Sequence, residues 1–281
     1  MLQIERMKMY PTKFSKSLSR ILYVLFLLTV LLTACNTATT EPAAIATTLP
    51  AATATSAAPT QTPVVSEGHA ITLTVNGVAQ SYTLQEVKAV DSNDSMWGAM
   101  SRYTLLTLNG YQVGEHPILP QIFVFPVDEL AATNPTAGKI IFDLQSLLES
   151  RQAGEKMPFL PLDGNVQTLH AQVKYLDFKN GSGARYLTQY NSGLVIINNK
   201  QLIYTYQGLT SDGKYYVAAV LPVTHPELPD TQQAYGQTVE ELKGFPEYMT
   251  QTAAWLDQQA PNSFTPDLAK LDGMVQSIAV K

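Results

Sequence analysis

Leu169-His170-Ala171-Gln172-Val173-Lys174-Tyr175 alternates apolar and polar residues, Asn180-Gly181-Ser182-Gly183 turns, and Arg185-Tyr186-Leu187-Thr188-Gln189-Tyr190 takes the alternation up again. A period of two is the side-chain repeat of a half-buried strand, so the stretch predicts an antiparallel hairpin. A turn centred on Gly181-Ser182 pairs Tyr175 with Thr188, Val173 with Tyr190 and Leu176 with Leu187. Leu169, Ala171, Val173 and Tyr175 then share one face. Immediately downstream, Leu202, Tyr204 and Tyr206 fall on a face with Val217, Ala219 and Leu221 across Ser211-Asp212-Gly213, a second hairpin.

Outward from these strands the period changes. Towards the C-terminus, Tyr235, Val239, Leu242, Met249, Ala253 and Leu256 form a helical stripe broken at Gly244-Phe245-Pro246. A short helical turn at 267–271 and a last strand over 276–280 close the chain. Towards the N-terminus, Ile140, Ile141, Leu144, Leu147 and Leu148 recur at helical spacing over 139–152, preceded by a turn or two of helix at 128–132. Pro158 and Pro161 make 153–165 a loop. Gln121-Ile122-Phe123-Val124-Phe125 and Tyr103-Thr104-Leu105-Leu106-Thr107-Leu108 read as strands. Ile71-Thr72-Leu73-Thr74-Val75, Asn76-Gly77 and Tyr82-Thr83-Leu84 read as a hairpin. Hairpin strands with a few interspersed helices predict an α+β fold, an antiparallel sheet with helices packed against it.

The N-terminal region is of another kind. Arg6, Lys8, Lys13, Lys16 and Arg20 precede the uncharged run 21–31, which has signal-peptide length and is short of the about 20 residues a spanning helix needs. Leu32-Thr33-Ala34-Cys35 follows. This order resembles the lipobox of bacterial lipoproteins. The resemblance implies that residues 1–34 are a signal peptide cleaved between Ala34 and Cys35. It also implies that the thiol of Cys35 takes a diacylglycerol thioether and that acyl chains such as palmitate anchor the protein to the membrane. A thiolate is the side chain nucleophilic enough for such alkylation, and Cys35 is the one cysteine in 281 residues. Residues 35–66, nearly all Ala, Thr and Pro after the lipidated cysteine, have no apolar period and predict a disordered linker. Residues 67–281 are left as a single globular domain outside the cytoplasmic membrane, at the cell surface or on the periplasmic side.

In 67–281 acids outnumber bases twenty-one to thirteen, which disfavours nucleic acid as a partner because phosphate repels a domain of that sign. Tyr103-Thr104-Leu105, 121–128, Arg185 to Tyr190, Tyr204-Thr205-Tyr206-Gln207-Gly208-Leu209 and Gly213-Lys214-Tyr215-Tyr216-Val217 together resemble a recurrent domain of bacterial envelope lipoproteins, from which no activity carries over. Two central hairpins, a long helix and a final Met274-Val275-Gln276-Ser277 strand resemble the layout of PsbP-like domains, mostly assembly or binding modules. Fold alone does not fix function.

Chemistry has little to attach to. No Gly-x-Ser-x-Gly elbow occurs, and His69, His116, His170 and His225 have no neighbours at metal-ligand spacing. The stretch 208–214 spells most of a phosphate-binding loop but runs into a strand where a helix is required. Asp91-Ser92-Asn93-Asp94-Ser95 alternates oxygen ligands as calcium loops do, yet Met96 stands where the glycine belongs and Arg102 where the terminal glutamate belongs. No catalytic residue, metal or cofactor is therefore expected. Tyr186, Tyr190, Tyr204 and Tyr206 are the candidate ligand-facing residues, since aromatic faces stack on ligands while their hydroxyls stay wet, although core filling would also account for them. The expectation is a lipid-anchored, extracytoplasmic module that binds a protein or small-molecule ligand. The alternatives are a secreted hydrolase whose site assembles from dispersed residues, recognisable by a His near a Ser and a carboxylate, and a structural partner in envelope assembly.

Overall fold

The computed structural model describes residues 64–66, 69–75, 77–92 and 98–281. The signal peptide, Cys35 and most of the linker lie outside the described residues, as do Asn76 and the centre of the 91–95 loop. In chain order the elements are β1 (Val64–Ser66), β2 (His69–Thr72), β3 (Ser81–Val87), β4 (Tyr103–Asn109), β5 (Gln121–Pro126), α1 (Val127–Thr133), α2 (Pro135–Ser150), β6 (Val166–Phe178), β7 (Gly181–Asn191), β8 (Ile203–Thr210), β9 (Tyr215–Pro222), α3 (Val239–Lys243), α4 (Phe245–Asp257), α5 (Leu268–Gln276) and β10 (Ala279–Val280). The fold is α+β, and the main sheet is antiparallel with strand order β3-β4-β5-β9-β8-β7-β6. Two meanders, β3-β4-β5 and β6-β7-β8-β9, meet where β5 pairs with β9.

Both faces of this sheet are covered. On one, Ile122, Val124, Tyr204, Tyr206, Val217 and Ala219 pack against Met249 and Leu256 of α4 and against Leu268, Leu271 and Met274 of α5. On the other, Phe123, Phe125, Tyr186, Tyr216 and Ala218 pack against Leu130 of α1 and Ile141, Leu144 and Leu147 of α2. Burial on two sides explains why β5 and β9 read as nearly continuous apolar runs, whereas β8, buried along its whole length, alternates its tyrosines with Thr205 and Gln207, whose polar atoms are hydrogen-bonded. Helix α2 starts where the Asn134 side chain accepts the Ala137 N–H (3.0 Å), with Pro135 in the first turn, and stops at Arg151 in the left-handed conformation (φ 56°). The break at Gly244 separates α3 from α4, and α3 opens with a capping box between Thr238 and Glu241.

The hairpin β8–β9 has the expected faces, with Tyr204 opposite Leu221 and Tyr206 opposite Ala219. Three other expectations need correction. The hairpin β6–β7 turns at Lys179-Asn180, and Tyr175 faces Ala184, not Thr188. Gly181 and Gly183 belong to the strand rather than the turn. A Cβ on Gly183 would run into the Gln207 carbonyl and lie 2.5 Å from Tyr206 Cζ, and one on Gly181 would run into the Leu209 carbonyl and lie 2.5 Å from a Phe178 ring carbon, so these glycines make room for the facing β8 backbone as well as for rings. A bulge also places Gln172 and Val173 opposite Tyr186 alone, with Gln172 at φ 55°. The extra residue flips the strand: Leu169 and Ala171 face α4 and α5, Val173 and Tyr175 face the α2 side, and Leu176 and Phe178 return to the α4 and α5 side.

The bulge is held from several directions. Gln172 Nε2 donates to the carbonyls of Leu256 (2.8 Å) and Gln259 (2.9 Å) at the C-terminus of α4, and its backbone N–H donates to the Asp257 carboxylate. The Gln172 carbonyl accepts from buried Arg185, whose Nε donates to buried Asp272 (3.0 Å). Lys174 (2.9 Å) and the Tyr204 hydroxyl (3.1 Å) complete the shell of that carboxylate.

The ends of the domain differ from expectation as well. β2 does not return into β3: it pairs with β1 (Val64 opposite Ile71, Ser66 opposite His69) and with β10 in a separate three-stranded sheet. Among the described residues strand pairing thus begins at Val64, ahead of the expected start at residue 67. At the C-terminus α5 runs through Gln276, leaving only Ala279–Val280 as strand. The amphipathic period of Leu268, Leu271, Met274 and Val275, all buried, wins over strand propensity there. Asn180 in the β6–β7 turn pairs with Val280 in both directions, its Oδ1 accepting the Val280 N–H (3.0 Å) and its Nδ2 donating to the Val280 carbonyl.

Candidate functional site

Between α2 and β6 the chain crosses the face of the main sheet as a strap, residues 157–162, fastened by side chains. Gln207, in the middle of β8, has all its bonding capacity used: Oε1 accepts from the Leu160 N–H (2.9 Å) and the Tyr216 hydroxyl (2.7 Å), and Nε2 donates to the Leu160 carbonyl (3.1 Å) and Thr205 Oγ1 (2.8 Å). Buried amides require such satisfaction, and here a side-chain amide pairs with a peptide as a neighbouring strand would. Gln167 treats Met157 in the same way, accepting its N–H (2.8 Å), and donates to the Tyr190 hydroxyl (2.8 Å). The Tyr186 hydroxyl donates to the Pro158 carbonyl (2.6 Å).

The strap divides a trough into two hollows. The first, about 540 Å³, lies between α2 and the strap and carries Asp143, Ser146, Ser150, Lys156 and Gln167 among its lining. The second, about 450 Å³, lies over the ends of β5, β9 and β8, with Phe123, Val220 and Ile203 as floor and 117–119 and 200–201 at its rim. Both are of ligand-pocket size. Phe159, Leu162, Asp163, Asn165 and Tyr190 line both, and the Phe159 and Tyr190 rings, 4.6 Å apart, form the partition.

Of the four candidate tyrosines, Tyr190 reaches this trough. Tyr186, Tyr204 and Tyr206 are fully buried, with hydroxyls donating to Pro158, Asp272 and Leu176 respectively. Desolvation pushes all four phenols well above their ordinary range, so they act as neutral donors or core fillers. The groove expected along the four is thus reduced to its Tyr190 end. The sheet is covered on both faces, and that uses the other three as core.

The histidines resolve individually. His225 Nε2 lies 3.1 Å from Ser263 Oγ, the approach a hydrolase would use. Its Nδ1, however, accepts the Glu227 N–H (3.2 Å), so the proton sits on Nε2 and is donated to the serine, whose own hydroxyl goes to the Ala260 carbonyl (2.7 Å). A general base needs the opposite tautomer with a carboxylate on Nδ1. The ring is 2% exposed and wedged against Trp255 and Phe264, and desolvation lowers its pKa. His170 is half-buried rather than solvated, and burial lowers its pKa too, partly offset by Asp257. His116 accepts the Ile118 N–H at Nδ1 (3.0 Å) and donates from Nε2 to the Asn199 carbonyl (2.8 Å), tying together two parts of the second rim.

The 208–214 stretch is the β8–β9 turn, where Asp212 accepts from Thr210 Oγ1 (2.7 Å) and the Lys214 N–H (3.1 Å); these bonds hold its carboxyl below the usual range. Among the described residues no three His, Cys, Asp or Glu side chains gather as a metal site, and no helix is long and apolar enough to cross a membrane.

The fold and the strapped sheet define the class: a three-layer antiparallel α+β domain with a divided surface trough. Compared with known proteins, the chain matches no family model, no curated protein and no solved structure. The trough residues the sequence did not mark are Phe159, Leu162, Asp163, Lys200 and Gln201, and the anchors Gln167 and Gln207. A glutamine amid the tyrosines of 204–207 was the one available sign.

Proposed function

We propose that this chain is a lipid-anchored, extracytoplasmic binding module whose ligand lies in the trough beside the strap. The divided trough at Tyr190 carries the reading: a strap fastened to the sheet by hydrogen-bonded amides fixes the walls of two hollows, and a site whose walls are fixed by the fold lowers the cost of binding. Leu32-Thr33-Ala34-Cys35 after a basic, then apolar, leader supports acylation at Cys35 and placement at the cell surface or periplasmic side. Two or three acyl chains hold stably where one, at ~0.8 kcal/mol per buried methylene, holds marginally. The donor role of His225 towards Ser263 favours binding over hydrolysis.

Membrane partition tests the anchor: wild type stays with washed membranes and Cys35→Ser leaves them. Thermal unfolding of the full chain against amphiphiles, saccharides and peptides tests the trough. A ligand at a hundred times its Kd adds about 2.7 kcal/mol, roughly 5–10 °C in Tm for a domain of this size. Val220→Trp, which fills the second hollow from its floor, removes the shift for any ligand seated there. A trough ligand is refuted if no compound shifts Tm, or if the shifts survive both Val220→Trp and Ser146→Trp in the first hollow.

A further inference from the structure

We infer that the second hollow takes the aliphatic chain of a single-chain amphiphile with an anionic head, a long-chain fatty acid or a lysophospholipid, and that Lys200 receives the head; this rests on the binding-module reading above.

The lining selects the chain. Ile118, Leu119, Leu162, Ile203 and Val220 are aliphatic, and Leu119 stands 58% exposed at the rim, a side chain that water covers at a cost and an alkyl chain would cover at a gain. At about 450 Å³ the hollow is some three times the ~150 Å³ cavity that accepts benzene, room for a chain of roughly 12–16 carbons with the open side discounted. A sugar would want exposed aromatic faces. Here Phe123 and Phe159 are buried, and Phe159 packs at a 36° tilt against Tyr190, so neither phenylalanine offers an open face.

The charges select the head. Asp163 and Lys200 are the two charged residues of this lining. Asp163 accepts the Asn165 N–H (2.7 Å) within its own turn and also borders the first hollow, at the strap end of the trough. Lys200 comes from the connection between β7 and β8 and makes no ion pair among the described residues. His116 joins the two parts of the rim, binding Ile118 through Nδ1 and the Asn199 carbonyl through Nε2, so the chain-binding residues 117–119 and the lysine are held in fixed relation. That preorganisation is what a two-ended ligand requires.

The test uses full-length protein in phosphatidylcholine vesicles and a palmitate carrying a diazirine at its chain end. Photolabelling should place adducts on 117–123 and around Val220. Leu119→Glu, which puts a charge at an exposed position without touching the core, should lower them at least tenfold with Tm unchanged, and Val220→Trp should lower them as much. Lys200→Ala should weaken competition by unlabelled palmitate about tenfold and leave competition by hexadecanol, which has no charge, as it was. Parallel competition by palmitate and by lysophosphatidylglycerol tells which source of the chain binds more tightly. Label scattered over the surface, or indifferent to both Val220→Trp and Leu119→Glu, overturns the inference. If a saccharide or peptide shifts Tm in a Val220-dependent way while the label is absent, the amphiphile is refuted and the binding module stands. If neither occurs at either hollow, both fall.

Discussion

Replacing Gln207 with leucine removes a side chain of similar volume and all four of its hydrogen bonds. Thr205 Oγ1 keeps its bond to the Ala219 carbonyl (2.7 Å), and the Tyr216 hydroxyl loses its acceptor. The N–H and carbonyl of Leu160, both buried, lose the partner they share. A buried polar group left unmade costs about 1–3 kcal/mol, so two backbone groups and a phenol give a loss of about 3 kcal/mol or more, a large part of the 5–15 kcal/mol typical of a domain. The protein has a cheaper route, which is to let the strap leave the sheet. Opening of residues 157–162 should then become easier by about 3 kcal/mol, near a hundredfold in exchange rate, while the rest of the sheet keeps its protection. Hydrogen exchange read at the Leu160 amide, beside urea unfolding of the whole domain, separates the routes. Gln207→Glu provides a graded control, because a carboxylate can still accept from Leu160 and Tyr216 but meets the Leu160 carbonyl with the wrong sign. Leu160 exchange within threefold of wild type in Gln207→Leu, with an unchanged urea midpoint, would refute the role given to this amide.

Asp272→Ala should destabilise by about 3–5 kcal/mol in urea melts, since it leaves Arg185 buried without its counter-charge, whereas Lys174→Ala, with a half-exposed ammonium, should cost under about 1 kcal/mol. Gly183→Ala should cost about 1–3 kcal/mol, because its Cβ would press on the Gln207 carbonyl and the Tyr206 ring, visible as a lower Tm with the fold retained by circular dichroism. Desolvation of His170 and His225 holds both rings neutral in the folded state to lower pH than in the unfolded one. Their contribution is whole above about pH 6.5 and is lost as pH falls below it, because the unfolded chain then binds protons the folded one resists. The urea midpoint should therefore drop between pH 7.5 and 5.5, above the range where carboxylates titrate, and His170→Gln should lessen the drop; an unchanged midpoint counts against it.

Where chain-local signals act, sequence and structure agree. Asp212-Gly213 sets one turn, and the flanking Tyr204, Tyr206, Ala219 and Leu221 fix its register, because a slip by one residue would turn those side chains to the other face. The break at Gly244 and the stripe of α2 are readable for the same reason. Register in β6–β7 was not, because Gly181 and Gly183 in β7 answer to side chains and carbonyls of the flanking strands, Phe178 of β6 and Tyr206 of β8 among them. The bulge at Gln172 depends on α4, more than eighty residues away. At the site, legibility was lower still. Tyr190 stood out as an aromatic in an alternating strand, but the strap is fastened by Gln207 to Leu160 across 47 positions. No periodicity reports a contact made by one amide with one peptide. Pro158 and Pro161 said only that the helix stops.

The small sheet has a mechanical consequence. Val64 lies opposite Ile71, and the chain ahead of Val64 departs from the same end at which β2 continues into the domain. A force drawn along the incoming chain thus loads the β1–β2 ladder one rung at a time, the geometry of a zipper, while β2 stays paired with β10. Tension reaching the domain from its N-terminal side is spent peeling three residues before it meets either core. The three paired residues of β1 are thus the first rungs such a pull would meet, and the strap and its trough, built on the other sheet, lie behind them in the line of force.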